Sequence, residues 1–337
     1  MAVSDPNTNT LLDIARRKDP DGKIAKVIEV LSEDNEILKD MPYRECNDGT
    51  NYRTTIRTGL PTAVWRMYNR GVPKSKSTTA QIVDHTALLE ARSEIDAELV
   101  QLNTGNEREF RYTEDIAFLS AMNSQMATTV FYGDKNDTGA FVGFAPRYAK
   151  KSADKTKSGF NIIDAGGEGT DNTSIYLVYW GERTVHGIYP KGGKAGFEMI
   201  DKGIEKVTDD EGKPFYAYVT QFKWLNGLCL RDWRYVVRIA NIDVSNLANA
   251  VNAGSNPAAD LNKLIIQALH KIPTNTIGTR PALYCNKDVF TALDLQTLDK
   301  NQAMVGYRDV QGAPVLTFRG IPIRQCDAIV SNEARVL

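Results

Sequence analysis

The sequence predicts a mixed α+β protein in which helices come first, a sheet follows, and βα and β units end the chain. Apolar residues recur at helical spacing in three stretches before residue 133. Residues 173–243 instead contain β-branched and aromatic runs separated by glycine-containing turns, which is typical of strands. With 337 residues, of which 42% are hydrophobic, the chain can form a large core, organised as about two domains or one domain with insertions.

The first 83 residues are predicted to form an arm, a helix and an extended β loop. Residues 1–22 are expected to form the arm, and an apolar stripe predicts a helix at about 23–39, which Met41-Pro42 ends. Residues 49–83 are rich in Ser, Thr, β-branched and aromatic residues with two Gly-x-Pro turns, which indicates the extended loop. This loop contains no acidic residue and six basic ones, namely Arg53, Arg57, Arg66, Arg70, Lys74 and Lys76.

Acidic residues flank the extended loop on both sides. Residues 29–48 carry seven acids against two bases, and residues 84–115 carry nine acids against three bases. One interpretation is that these are solvated faces whose charges are distributed by chance. The other is self-complementarity, in which the cationic loop of one copy lies on the acidic segment of a neighbour and a repeated network of individually weak ion pairs fixes their register. In that hypothesis Arg53, Arg57, Trp65, Arg66, Arg70, Lys74 and Lys76 face Glu90, Glu94, Asp96 and Glu98.

Two predicted helices follow the extended loop. The first covers about 84–103, with Asp84 as its N-cap and an apolar stripe that includes Leu88 and Ile95. The second covers 113–132 and is apolar most of the way round, which indicates burial on several sides or between subunits. Residues 134–172 are expected to be rich in loops. Their basic run, Arg147 to Lys157, has no aromatic residue interleaved among its lysines and is interpreted as a solvated loop or as a weak DNA contact.

Residues 173–243 are predicted to form a sheet. Strands at 174–180 and 183–189 flank Gly181-Glu182, and strands at 215–225 and 228–239 flank Asn226-Gly227, which favours a two-residue hairpin turn. Apolar residues alternate with arginines at 233–239, which indicates one buried and one solvated face.

The last 80 residues are predicted to contain two helices and short strands. The segment Ser255-Asn256-Pro257 supplies a cap and an N1 proline for a helix at 258–270. Later elements are a strand at 282–285, a helix at 287–299 capped by Asn286, and strands at 315–319 and 321–324 around Gly320.

No pattern in the sequence indicates catalysis, a cofactor or a metal site. His85, His186 and His270 are isolated, whereas a zinc site needs three or four clustered ligands. The glycine-rich stretches at 166–170 and 192–196 lack the Gly-Lys-Ser/Thr ending of a phosphate-binding loop. The expectation is therefore a protein without enzymatic activity or cofactor. The four dispersed cysteines are expected to be reduced thiols, namely Cys46, Cys229, Cys285 and Cys326.

Targeting signals are also missing from the sequence. The N-terminus lacks the cationic and apolar regions of a signal peptide, and no stretch approaches the roughly 18 apolar residues of a membrane helix. The expectation is a soluble protein made in the cytoplasm.

Three passages resemble a known family in their order along the chain. They are Met126–Gly133 with Phe141–Tyr148, Ser174–Gly181 with Gly187–Gly192, and Thr317–Arg324 with Asp327–Ile329. Together they resemble the major capsid proteins of tailed double-stranded-DNA bacteriophages, most of all those of short-tailed phages with the Hong Kong 97-type fold. The resemblance covers about residues 20–335.

The resemblance implies a division of the chain and a structural role. Its parts would be an N-terminal arm and helix (1–48), an extended loop over a neighbouring subunit (49–83), a peripheral domain with spine helices (84–159), an axial domain with the central sheet (160–285) and a C-terminal return to the peripheral domain (286–337). The subunits would form hexamers and pentamers of an icosahedral head around the DNA genome, assembled in the host cytoplasm and located in the virion. Implied partners are other copies, scaffolding, portal and decoration proteins, and packaged DNA by weak non-specific contact, with no membrane.

Other functions compete with this interpretation. Residues 49–83 interleave basic side chains with Tyr52, Trp65 and Tyr68, a combination that suits single-stranded nucleic acid. The net charge of −1 gives that hypothesis no global support. A tail or decoration protein of a virion and an enzyme with a site assembled from distant residues remain as further alternatives.

Overall fold

The computed structural model describes residues 35–101, 107–134, 136, 139–209, 211–247, 260–296, 305–310 and 313–337. These residues form two compact units. The first contains Leu88–Met126 and Gly196–Leu225, and the second contains the remaining described segments. Helices and a large mixed sheet confirm the predicted α+β class.

Helices and strands alternate irregularly along the described chain. The helices are α1 (Ile37–Asp40), α2 (Ala97–Gln101), α3 (Glu107–Tyr132), α4 (Phe144–Arg147), α5 (Leu261–Lys271) and α6 (Lys287–Gln296), with 3-10 turns at Ser158–Asn161 and Trp233–Tyr235. The strands are β1 (Tyr43–Glu45), β2 (Asn51–Gly59), β3 (Thr78–His85), β4 (Ala87–Asp96), β5 (Ile162–Asp164), β6 (Asn172–Trp180), β7 (Val185–Tyr189), β8 (Phe197–Thr208), β9 (Pro214–Leu230), β10 (Val236–Asp243), β11 (Arg280–Cys285), β12 (Val305–Val310), β13 (Ala313–Phe318) and β14 (Ile321–Gln325).

The first unit is built on the long antiparallel pair of β8 and β9, with β4 beside β9. The N-terminal part of α3 packs on this pair, because the rings of Phe118 and Phe222 stack with centroids 5.7 Å apart. Arg111 of the same helix binds Asp201 at 2.8 Å and lies over the ring of Tyr218. This helix is therefore half-buried by both apolar and charged contacts.

The second unit has a central sheet in which β6 is buried on both faces. Strands β10 and β11 pair with β6 antiparallel, and β14 pairs with β11 parallel. Leu177 and its neighbours on one face pack against α5 and α6. The other face carries an aromatic cluster, in which Phe131 at the end of α3 contacts Tyr176 and Phe144 contacts Trp180.

A buried ionic network holds the C-terminal segment to this unit. Arg238 of β10 binds Glu333 at 2.9 Å, and their side chains are only 5% and 4% exposed. The Tyr132 hydroxyl donates to Glu333 at 2.6 Å, Ser174 also donates to this carboxylate, and Arg238 donates to the carbonyl of Tyr148 at 2.9 Å. Each side chain of this buried pair therefore has a partner of opposite sign and further hydrogen bonds, without which burial of a charge is strongly destabilising.

Several predicted elements are confirmed. The second predicted helix is α3, although it begins at Glu107 rather than 113. Asn286 caps α6 by accepting the backbone N–H of Val289 at 3.0 Å. Strands β13 and β14 meet at Arg319-Gly320, where both residues have positive φ, as a tight hairpin turn requires. Asp260 caps α5, and the predicted cap at 255–257 lies outside the described residues, as does most of the predicted helix at 23–39.

The predicted helix at 84–103 is wrong. Residues up to His85 complete β3, Ala87–Asp96 form β4, and only Ala97–Gln101 are helical. Burial along β4 alternates, so that Glu90, Arg92 and Glu94 face solvent while the residues between them are covered. Leu88 and Ile95 are seven residues apart, which fits a helical stripe. The alternation of charged and smaller residues from Glu90 to Ile95 fits a strand better, and the structure follows it.

The predicted hairpin at Asn226-Gly227 is also wrong, because β9 runs straight through it. A Cβ on Gly227 would lie 2.5 Å from the carbonyl oxygen of His85, so this glycine permits close approach of two backbones rather than a turn. The predicted solvated face at 233–239 holds only for the exposed Arg234 and is wrong for residues 235–239. Strand β10 is buried on both faces, and Arg238 is tolerated there because it pairs with Glu333.

Candidate assembly surface

The extended hairpin (residues 51–85) consists of β2 and β3 paired antiparallel over their full length. This confirms an extended β structure in the region where the sequence predicted one. The register shifts near Gly59, where a Cβ would lie 2.5 Å from Oγ1 of Thr78. The bulge at this point ends regular pairing and begins the tip loop (residues 60–77).

The base of the extended hairpin is fixed to the second unit. Asp84 is buried, binds Arg147 at 2.7 Å and accepts the backbone N–H of Leu230 at 3.1 Å. The ring of Tyr52 makes an edge contact with His186, with centroids 5.2 Å apart. Burial, assisted by the positive charge of Arg44, lowers the pKa of His186 to about 4, so this imidazole is neutral at neutral pH.

The tip loop is exposed but internally connected. Every residue from 60 to 76 is exposed, and Trp65 and Tyr68 reach 104% and 95% of their full accessible area. The hydroxyl of Ser75 donates to the carbonyl of Thr62 at 3.0 Å, and the N–H of Arg70 donates to the carbonyl of Met67 at 3.3 Å. The loop therefore has internal structure while its aromatic side chains make almost no contact with their own chain.

The cationic side chains fall into two groups. Arg53 lies near the base, and its exposed side chain binds Asp48 of its own chain at 2.7 Å, an ion pair with which any partner would compete. The others are exposed and form no ion pair with the described residues, namely Arg57, Arg66, Arg70, Lys74 and Lys76. The charge pattern alone does not distinguish Arg53 from the other five, because the Asp48 pair is visible only in the structure.

The predicted acidic counterpart lies on a strand and the start of a short helix. Glu90 and Glu94 point to the same exposed face of β4, with Arg92 between them. Arg92 binds Glu94 at 2.7 Å and Glu205 at 3.5 Å, and Glu90 accepts a hydrogen bond from Gln221. Asp96 is half-buried and caps the backbone N–H of Glu98. The acidic face is therefore partly neutralised by its own arginine.

The described residues contain no arrangement that indicates chemistry. No three His, Cys, Asp or Glu side chains among them converge on a position that could hold a metal ion. An open cavity of about 700 Å³ in the second unit is lined by Arg238 and Glu333, whose charges pair with each other. Burial raises the pKa of the Cys229 and Cys285 thiols, which disfavours a nucleophilic thiolate. None of the described helices is long and apolar enough to span a bilayer.

Comparisons with known proteins agree with a structural role. Residues 19–337 match the family described as Major capsid protein GP7. A chain in the near-atomic-resolution cryo-electron microscopy structure of bacteriophage epsilon15 is 30% identical, with a TM-score of 0.79, and the match covers 100% of this chain and 99% of that one. A search of curated proteins gives no match.

Two other solved capsid structures have lower sequence identity and lower TM-scores. The bacteriophage JBD30 capsid is 8% identical with a TM-score of 0.47, over 89% of this chain and 93% of that one. A chain of the native GTA particle capsid is 9% identical with a TM-score of 0.45, over 66% of this chain and 94% of that one.

Proposed function

The chain belongs to the Major capsid protein GP7 family, and we propose that its extended hairpin joins it to a neighbouring copy in a closed icosahedral head. It is a structural capsid protein of a tailed bacteriophage, has the Hong Kong 97-type fold, is located in the virion and associates with itself into capsomers. Hexamers and pentamers, the icosahedral enclosure of DNA and the contacts between subunits are parts of the proposal.

The observation that carries the proposal is the uncovered tip loop. A two-stranded hairpin is marginally stable in water by itself and needs a surface to pack on. Its strands are up to nine residues long, so the tip loop can lie about 30 Å from the base. Trp65, Tyr68, Met67 and Leu60 are each at least 73% exposed, and such a group of apolar side chains marks an interaction site. In a protein that builds shells, the partner is another copy.

Charge complementarity indicates which surface of the neighbouring copy receives the tip loop. We place Arg57, Arg66 and Arg70 of one copy against the acidic face of Glu90 and Glu94 of a neighbour. Each exposed pair contributes only about 0–1 kcal/mol, but the pairs recur in every subunit and oppose a wrong register through like-charge repulsion. Because Arg92 already binds Glu94, the incoming arginines would have to rearrange that pair.

A charge-swap experiment tests this contact. The variant Arg66→Glu/Arg70→Glu is expected to stay folded and to lose closed shells in negative-stain electron microscopy. The control Arg183→Glu/Arg280→Glu changes two exposed arginines outside the extended hairpin and is expected to assemble normally. Adding Glu90→Lys/Glu94→Lys to the first variant is expected to restore shells.

The variants test the electrostatic contact, the receiving residues and the role of the extended hairpin separately. Normal shells from the first variant would contradict the electrostatic contact. Failure of the swap to restore assembly would contradict Glu90 and Glu94 as the receiving residues, while leaving the extended hairpin as an interface. Normal shells together with lost binding of single-stranded nucleic acid would favour the alternative use of Trp65 and Tyr68 as stacking groups.

The remaining parts of the proposal follow the family. The arm, extended loop, peripheral, axial and C-terminal parts are proposed at 1–48, 49–83, 84–159, 160–285 and 286–337. Scaffolding, portal and decoration proteins and packaged DNA are proposed partners, and assembly is proposed to occur in the host cytoplasm. We also propose that the chain has no catalytic activity, which the satisfied charges of the described cavity support.

A further inference from the structure

A second charged surface lies in the second unit, on the lysine loop (residues 150–157). The backbone of this loop is closed on itself, since the N–H of Ser152 donates to the carbonyl of Gly159 at 3.1 Å. A Cβ on Gly159 would lie 2.1 Å from the carbonyl oxygen of Lys150, so only glycine allows the two ends to approach this closely. Asn161, just beyond the loop, is buried and donates to the carbonyls of Val236 and Arg234. The loop is therefore presented from a fixed position.

The loop carries a local excess of positive charge. All four lysines are exposed, and the one acid in the loop, Asp154, accepts the N–H and the hydroxyl of Thr156 to form the turn. Lys151 lies 3.5 Å from Asp164 and Lys157 lies 3.9 Å from Asp154, whereas Lys150 and Lys155 form no ion pair with the described residues. Four lysines and one aspartate leave three net positive charges.

Groups outside the loop alter this charge in both directions, since Asp164 offsets part of it by pairing with Lys151. Arg147, which precedes the loop, forms an ion pair with the buried Asp84 and is not part of the surface. Lys271 donates to the carbonyls of Phe160 and Ile162, just beyond the C-terminal end of the loop. Burial and then the positive charge of Lys151 lower the pKa of Lys271. Lys271 is therefore a further positive charge near Lys151.

We propose that the lysine loop binds the phosphate backbone of double-stranded DNA through Lys150, Lys151, Lys155 and Lys157. Lysine ammonium groups act as point charges that contact phosphates without base selection. No aromatic side chain lies among residues 150–157, so the loop offers no platform for stacking unpaired bases. The inference rests on the proposed enclosure of DNA and names the surface that would meet it.

The test is a titration of the full-length unassembled subunit with a short fluorescent DNA duplex at graded salt. The variant Lys150→Gln/Lys155→Gln removes the two unpaired lysines, and Lys202→Gln/Lys206→Gln removes two exposed lysines of β8 as a matched control. Loss of two phosphate contacts is expected to reduce the slope of log K against log salt by about 1.8. The control is expected to keep the slope of the unmodified chain.

The salt slopes and the assembly of the variants distinguish a DNA contact from the other uses of this loop. Equal slopes for both variants would overturn the proposal, because the effect would then be one of overall charge. If polyglutamate binds as tightly as the duplex and depends on the same two lysines, the surface fits an acidic protein and the DNA assignment fails. If Lys150→Gln/Lys155→Gln still forms closed shells while its salt slope falls, the DNA contact is supported and is separate from the contacts that build the shell. A folded variant that cannot assemble would show that the loop is a subunit contact and would also overturn the inference.

Discussion

Truncation of Trp65 to alanine separates folding from assembly more cleanly than any other change in the extended hairpin. Its side chain is fully exposed, so the variant should have the same free energy of unfolding as the unmodified subunit within about 0.5 kcal/mol. Covering an aromatic side chain removes about 150–250 Å² from water, which at about 25 cal/mol per Å² amounts to about 4–6 kcal/mol. Truncating such a residue at a subunit contact typically costs about 2 kcal/mol or more.

A loss of about 2 kcal/mol per contact corresponds to a roughly 30-fold weaker association. The assay is light scattering against subunit concentration, with urea unfolding of the unassembled subunit measured in parallel. Ile277→Ala is the matched control, because Ile277 is 95% exposed but lies in a loop of the second unit away from the extended hairpin. It should change neither property.

Two results would refute this reasoning. An unchanged concentration threshold for Trp65→Ala would show that the tip loop remains in water after assembly. A destabilised subunit would show that Trp65 contacts its own chain, contrary to its exposure. Tryptophan emission gives a supporting signal, since assembly should move the exposed indole to a less polar environment and shift its emission to the blue.

The other predictions concern the second unit. Glu333→Gln leaves Arg238 buried without a counter-ion and should lower the free energy of unfolding in urea by about 3–5 kcal/mol. The control Glu168→Gln breaks the exposed pair with Arg335 and should lower it by less than about 1 kcal/mol. Equal effects of the two variants would contradict the role of burial. Gly227→Ala places a methyl group against the His85 carbonyl and should cost about 1–3 kcal/mol in thermal or urea unfolding, whereas Gly71→Ala meets nothing within 4 Å and should be neutral. The pKa of His186 is lowered to about 4 from about 6.5, so the unfolded chain binds its proton first and stability falls as the pH drops through this interval. Between pH 7 and pH 5 the chain should lose about 2 kcal/mol more than a His186→Phe variant, and parallel pH profiles would contradict this assignment.

The candidate assembly surface was predictable in part from charge alone. The acid-free run from residue 49 to 83 identified the extended loop, and Trp65 and all six of its basic residues are exposed. Arg53 also pairs with Asp48 of its own chain, so its part in a contact between copies stays a prediction. Whether Glu90, Glu94, Asp96 and Glu98 receive a neighbour's hairpin remains a prediction.

The sequence by itself determined the α+β class, helix α3, the cap of α6 and the turn at Arg319-Gly320. These features depend on residues within a few positions of one another, such as Asn286 and Val289, or on the backbone freedom of one glycine. The tertiary structure decided the rest. Asn226-Gly227 lies inside a strand because the backbone of His85 passes against it, and Arg238 is buried because Glu333, 95 positions away, neutralises it. Such contacts between distant residues supply energies that exceed local preference, and no local pattern encodes them.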